Sequence, residues 1–163
     1  MSVQEILEAH PRPLIADATV LARCLDECGA CEATCTICAD ACAAEPGVGE
    51  LVRCIRLCLD CADACAAAVR ILGRQTDAHP PSQLNVLETC LAACRACADE
   101  CELHAAHHRH CAISAAECRR CEHACEALRA ALTTLRLSHP AVQAGLVSVR
   151  LVITCWDRVG RWR

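Results

Sequence analysis

The chain has 163 residues, the size of one ordinary domain, and a formal net charge of −4 with both signs mixed along it, which leaves no electrostatic footprint for nucleic acid. It contains no phenylalanine, tyrosine or lysine and only two tryptophans, so the aromatic bulk that usually fills a domain interior is missing. In its place stand nineteen cysteines, far above ordinary usage.

No run reaches the roughly 18 apolar residues of a membrane-spanning helix. The opening stretch MSVQEILEAHPRP has neither a basic region nor an apolar one, so no signal peptide is expected. The expected compartment is therefore the reducing cytoplasm, not the oxidising setting of small disulfide scaffolds.

In chain order, Ser2 with Glu5 three residues on reads as a capping box for a short first turn, which Pro11 and Pro13 end. Residues 1–13 form an arm. A long helix is expected from about Leu14, with Pro13 at its first position, to Ala44, stopping at Glu45-Pro46-Gly47. Within it Cys24, Cys28, Cys31, Cys35, Cys38 and Cys42 are spaced 4, 3, 4, 3, 4. Residues three and four apart share a helix face, so these sulfurs make one column. A second helix, about Gly49 to Gly73, repeats the pattern with Cys54, Cys58, Cys61 and Cys65. After the loop carrying His79-Pro80-Pro81, Ser82 reads as the cap of a third helix reaching about His104, with Cys90, Cys94, Cys97 and Cys101. A histidine-rich turn, His104 to His110, leads into a fourth helix with Cys111, Cys118, Cys121 and Cys125, which ends before Ser138-His139-Pro140. Only Cys155 falls outside the pattern. Four long helices with short connections predict an all-α fold, an antiparallel up-down-up-down four-helix bundle over residues 14–136 with a cysteine-lined core. Residues 137–163 are rich in valine and hold both tryptophans; their periodicity fits helix and strand alike.

Counting outward from the first and third turns, which share one end of such a bundle, aligns the columns into layers. Cys42, Cys54, Cys101 and Cys111 come first. Cys38, Cys58 and Cys97 follow, where the fourth helix offers Ser114. Then come Cys35, Cys61, Cys94 and Cys118, and after them Cys31, Cys65, Cys90 and Cys121, with Cys28, Cys125 and Cys24 beyond. The seam positions then turn to Leu14, Leu21, Leu72, Leu84, Leu87, Leu128, Leu132 and Leu135, a leucine plug at the far end.

Cysteine packs as a small hydrophobe, but leucine or alanine would pack as well without oxidation risk. Disulfides fit poorly, because neighbours on one helix stand about 5–6 Å apart at Cβ and a bridge needs about 3.5–4.5 Å. A redox dithiol needs one activated pair, and no CxxC here stands apart from the columns. Iron–sulfur runs are loops ending in Cys-Pro, whereas this spacing is helical and no cysteine precedes a proline. Soft-metal thiolate binding remains, with copper(I) or zinc as the cargo. Charge favours copper(I). A zinc with four thiolates carries −2, costly to bury repeatedly where Arg53, Arg56, Arg95, Arg119 and Arg120 all lie off the seam, while one Cu(I) per thiolate is neutral. An iron–sulfur electron carrier and a zinc or mixed soft-metal sink stand as the alternatives.

The CxxxCxxCxxxCxxCxxxC run at Cys24–Cys42, the CxxxCxxCxxxC runs at Cys54–Cys65 and Cys90–Cys101, and CxxxxxxCxxCxxxC at Cys111–Cys125 resemble the cytosolic copper storage proteins over roughly Leu14 to Arg136. The resemblance implies many Cu(I) ions inside each bundle, no catalysis and a homotetramer; a copper chaperone is a possible partner. The segment from Ala141 to Arg163 departs from that pattern, since such chains usually end soon after the fourth helix.

Histidine is the other soft-metal candidate. His104 lies three after Cys101 and His108 three before Cys111, so both extend the seam toward the open end as expected copper ligands. His107 and His110 carry less of the pattern, and His10, His79, His123 and His139 fall off it. Met1 is the only methionine, so no thioether relay exists.

Overall fold

The computed structural model describes residues 2–137. Five helices follow one another: α1 (Val3–Glu8), α2 (Ala18–Ala44), α3 (Val48–Leu72), α4 (Pro80–His104) and α5 (Arg109–Leu137). The four long ones form a ring in which α2 packs on α3 and α5, and α4 on α3 and α5. With short connections this is the antiparallel four-helix bundle that the spacing predicts. No strand occurs among the described residues, and none of their helices is long and apolar enough to cross a membrane. The stretch 138–163, with Cys155 and the expectations attached to it, lies outside the described residues.

Local signals set the boundaries, and two differ from expectation. The capping box of α1 is present: Ser2 Oγ accepts from the Glu5 amide at 3.2 Å, and Glu5 Oε2 accepts from the Ser2 amide at 2.5 Å. The bundle's first helix begins at Ala18, not near Leu14, because Asp17 is the N-cap. Its Oδ1 accepts from the amides of Thr19 at 2.9 Å and Val20 at 3.3 Å, satisfying donors that have no partner within the helix. The chain before it is instead tied to the loop after α3, where Gln75 Oε1 accepts from the Ile15 amide at 2.9 Å. The cap of α4 is His79, not Ser82. Its ring accepts from the Ser82 amide, and Pro80 and Pro81 occupy the first turn, where a missing N–H costs nothing.

Inside the ring all eighteen cysteines of the columns are buried, each 2% exposed or less. At one end Leu21, Leu72, Leu87, Leu128 and Leu132 close the core. Fully burying a leucine side chain contributes about 1.5–3 kcal/mol relative to leaving it exposed. The plug is smaller than the sequence suggests. Leu14 and Leu84 are only half-buried, and the side chain of Leu135 lies outside the described residues. Gln83 is the buried residue beside Leu84, because it stands four before Leu87 on the inward column; its Oε1 has no hydrogen-bond partner.

The arginines stay on the outside, while Glu100 and Glu117 are buried. Arg95 pairs with Glu122 at 2.5 Å and with Glu126; Arg119 reaches Asp99 at 2.6 Å, Glu102 at 3.0 Å and Glu122 at 3.3 Å, stitching α4 to α5. No arginine is buried among the described residues.

Candidate metal centre

The thiols form one connected lattice. At the end bearing the α2–α3 and α4–α5 turns, Cys42 Sγ stands 3.8 Å from both Cys54 and Cys111, and Cys54 stands 3.5 Å from Cys101. This is the expected first layer. Deeper in, Cys58 lies 3.6 Å from Cys97 and 3.7 Å from Cys101. Next, Cys35 lies 3.4 Å from Cys118, Cys31 lies 3.8 Å from Cys61, and Cys61 lies 3.7 Å from Cys94. Cys65 then meets Cys90 at 3.7 Å and Cys121 at 3.9 Å, and Cys28 meets Cys121 and Cys125, each at 3.6 Å. Cys24 closes the series, 3.7 Å from Cys125.

The layers are not flat. Cys97 also touches Cys35 at 3.9 Å, and Ser114 Oγ faces Cys35 at 3.7 Å instead of standing level with Cys38. A 3.6-residue helix advances against a 3.5-residue pattern, so the inward stripe drifts around each helix and neighbouring layers interlock.

Groups of three or four sulfurs come within 4.8 Å of one another at several depths, among them Cys28, Cys90, Cys121 and Cys125, and Cys31, Cys35, Cys61 and Cys118. A metal about 2.3 Å from each sulfur, the zinc–thiolate length, needs sulfurs about 4.0 Å apart if trigonal and about 3.8 Å if tetrahedral. Both match the spacings present, so distance admits either coordination number. Charge bears on the choice, since among the described residues no buried arginine balances the thiolates.

Electrostatics within the lattice points the same way. Burial first, then the charges of Cys38 and Cys54, push the Cys42 thiol up to about 12. Burial likewise raises Cys111. Further in, S–H donors on Cys118 and Cys31 pull Cys35 down, while contact with Cys31 and Cys35 pushes Cys118 up. A charge on one sulfur is thus tolerated only where its neighbours keep their protons. Most of the thiols are pushed up, with Cys31, Cys35, Cys38, Cys90 and Cys94 pulled down by S–H donors around them, and only a cation can replace the remaining protons wholesale.

At the mouth the histidines divide. His110 turns its Nδ1 toward the thiols, 3.5 Å from Cys38 and Cys111 and 3.8 Å from Cys42, and these four groups together have metal-site spacing. Its Nε2 meets Glu45 Oε1 at 3.2 Å. His108 and His104, which continue the seam in sequence, meet carboxylates: His108 Nδ1 lies 3.0 Å from Glu45 Oε1, and His104 Nε2 lies 3.4 Å from Glu100 Oε1. The three rings form a chain, with centroids 6.4 Å apart for His104 and His108 and 5.5 Å for His108 and His110. Burial lowers the His110 pKa, but contacts with Cys38 and Glu45 outweigh it and hold the ring above its ordinary value. The same pair of rings, His108 and His110, holds Glu45 below the usual carboxylate range. Sequence spacing gave His110 little weight because it adjoins Cys111 instead of standing three or four from a cysteine. The available signal is that it lies four before Ser114, the one position between Cys111 and Cys125 on the inward column that carries no thiol.

The family described as copper storage protein matches residues 17–130. The chain belongs to that family. It is similar in structure to Ccsp, the copper storage protein of Streptomyces lividans loaded with 10 copper equivalents: 43% identical over 80% of this chain and all of that one, with a TM-score of 0.78. A form of the cytosolic copper storage protein from the same organism with five coppers is 46% identical over 69% of this chain and 93% of that one, with a TM-score of 0.68. A Ccsp mutant with one histidine replaced by alanine is 45% identical over 72% of this chain and 98% of that one, with a TM-score of 0.71. No protein of curated function matches. In this copper storage protein the matched residues take in all eighteen column cysteines together with Glu45 and His110.

Proposed function

We propose that this protein stores Cu(I) in the cytosol, its eighteen buried thiolates holding the ions and His110 serving as the nitrogen ligand at the mouth. The observation that carries this reading is the continuous sulfur lattice, closed at one end by leucine and covered at the other by the half-buried His104, His108 and His110. Thiolate is the ligand that selects Cu(I), and one Cu(I) per thiolate leaves the core neutral. His104 and His108 serve as passing ligands on the way in, above the first sulfurs. The role is storage, with no turnover. A copper chaperone would exchange ions at the mouth, and the exposed apolar residues Ile37, Val52, Leu103 and Ile113 offer surface for the homotetramer that the family resemblance implies.

Anaerobic titration of the reduced protein against a Cu(I) chelator tests this. Uptake is expected to saturate near one copper per inward thiol, with release of protons from the thiols that are pushed up. Preferred binding of zinc at one ion per four thiols would overturn it, as would acid-labile sulfide in the purified protein.

A further inference from the structure

We infer that Glu45 is a positioning residue for copper uptake: its carboxylate holds His110 in the tautomer whose bare Nδ1 faces the first thiols. The inference rests on the storage reading above and adds a group that no thiol or histidine pattern reveals.

A neutral imidazole has one N–H and one lone pair, and the partner of one nitrogen fixes which is which. In His110 the two nitrogens meet opposite partners. Nε2 lies 3.2 Å from a carboxylate oxygen that only accepts, so the proton belongs there. Nδ1 is then bare, aimed at Cys38, Cys42 and Cys111 at 3.5–3.8 Å. This is the carboxylate–histidine–metal relation in which the outer partner fixes ring orientation and raises the basicity of the ligand. Without Glu45, no other contact of His110 among the described residues prevents Nδ1–H from pointing at the sulfurs, where it would give a hydrogen bond to a thiolate and offer no lone pair to copper.

The location of Glu45 follows from the chain around it. It is the C-cap of α2, with φ −71° and ψ 142°, and Pro46 after it disfavours the helical conformation. The helix therefore stops one residue short of the turn, leaving Glu45 at the rim. The same Oε1 also meets His108 Nδ1 at 3.0 Å. Glu45 thus ties the α2–α3 turn to the α4–α5 turn across the opening, which fixes where the ring of His110 stands as well as its tautomer.

The test uses the reduced full-length protein with ¹⁵N-labelled histidine, unaltered and as Glu45→Ala and Glu45→Asp. Long-range ¹H–¹⁵N correlation of the copper-free protein above the imidazole range reports the tautomer directly. The unaltered protein is expected to show His110 as Nε2–H, Glu45→Ala a mixture of tautomers, and Glu45→Asp partial return. The first Cu(I) equivalent, measured against a chelator, is expected to bind about 10-fold more weakly in Glu45→Ala, the lower end of the loss when an outer partner of a metal-binding histidine is removed, with total capacity unchanged. An unaltered His110 tautomer in folded Glu45→Ala overturns the proposal, and so does a changed tautomer with unchanged first-copper affinity. Failure of the storage reading looks different: the unaltered protein itself would take up no copper, whatever the tautomer.

Discussion

Ser114 is the one inward position of α5 within the thiol columns that carries oxygen in place of sulfur, which makes Ser114→Cys a direct test of one copper per inward thiol. The residue is fully buried, and its Oγ lies 3.7 Å from Cys35 Sγ, a spacing that sulfurs already occupy throughout the lattice. A sulfur there completes the α5 column and adds one ligand beside Cys35 and His110. The expected capacity is one copper above that of the unaltered protein. The empty protein should be less stable, because sulfur is larger than oxygen and the core is already packed. Overpacking costs about 1–3 kcal/mol, and at roughly 3–4 °C per kcal/mol for a domain of this size the melting temperature should fall by about 3–12 °C. Copper should restore the difference on loading, since it binds only the folded array. Capacity is read by anaerobic titration and stability by thermal circular dichroism on the reduced protein. An unchanged capacity in a folded variant would refute the rule and show that ion number is set by cluster geometry instead of by thiol count.

Direction of traffic gives a paired prediction. Replacing His104 and His108 with alanine should slow loading and chelator-driven removal with little change in capacity, whereas Leu132→Ala should cost about 2–5 kcal/mol without speeding exchange; faster release from the folded leucine variant would place the exit at the wrong end. Acid stability depends on Glu122. Burial opposes its ionisation, but Arg95 and Arg119 outweigh it and hold its pKa below the ordinary value. A depressed folded pKa means stability that is present above the unfolded value of about 4.3 and lost as pH falls through the folded one. Melting of the metal-free protein between pH 3 and 7 should therefore show a loss below about pH 4 that is smaller in Glu122→Gln; identical curves would remove Glu122 from the explanation.

The fold was legible because a thiol at every third or fourth residue marks both the helix and its inward face. Where the reading drifted, a short polar contact outweighed a pattern. Asp17, not Pro13, sets the start of α2, and His79, not Ser82, caps α4, its ring accepting from the amide of Ser82 itself. Gln83 entered the plug where Leu84 was expected, because position on the column matters more than polarity. The sulfur lattice follows from spacing alone, whereas the mouth does not. Its groups come from two turns, and the contact of Glu45 with His110, 65 positions apart, depends on how those turns meet.

The separation of the sulfur lattice from the ion pairs around it has a consequence for regulation. Wherever an entering Cu(I) displaces one thiol proton, the exchange leaves the charge of the interior unchanged. The ion pairs on the surface are then the same at low and at high filling, and long-range attraction carries little record of how much metal is inside. What distinguishes a nearly empty molecule from a full one is the free energy of the next ion at the opening. Delivery and withdrawal are then governed by the chemical potential of copper in the surroundings, with the protein acting as a reservoir whose exterior does not report its contents.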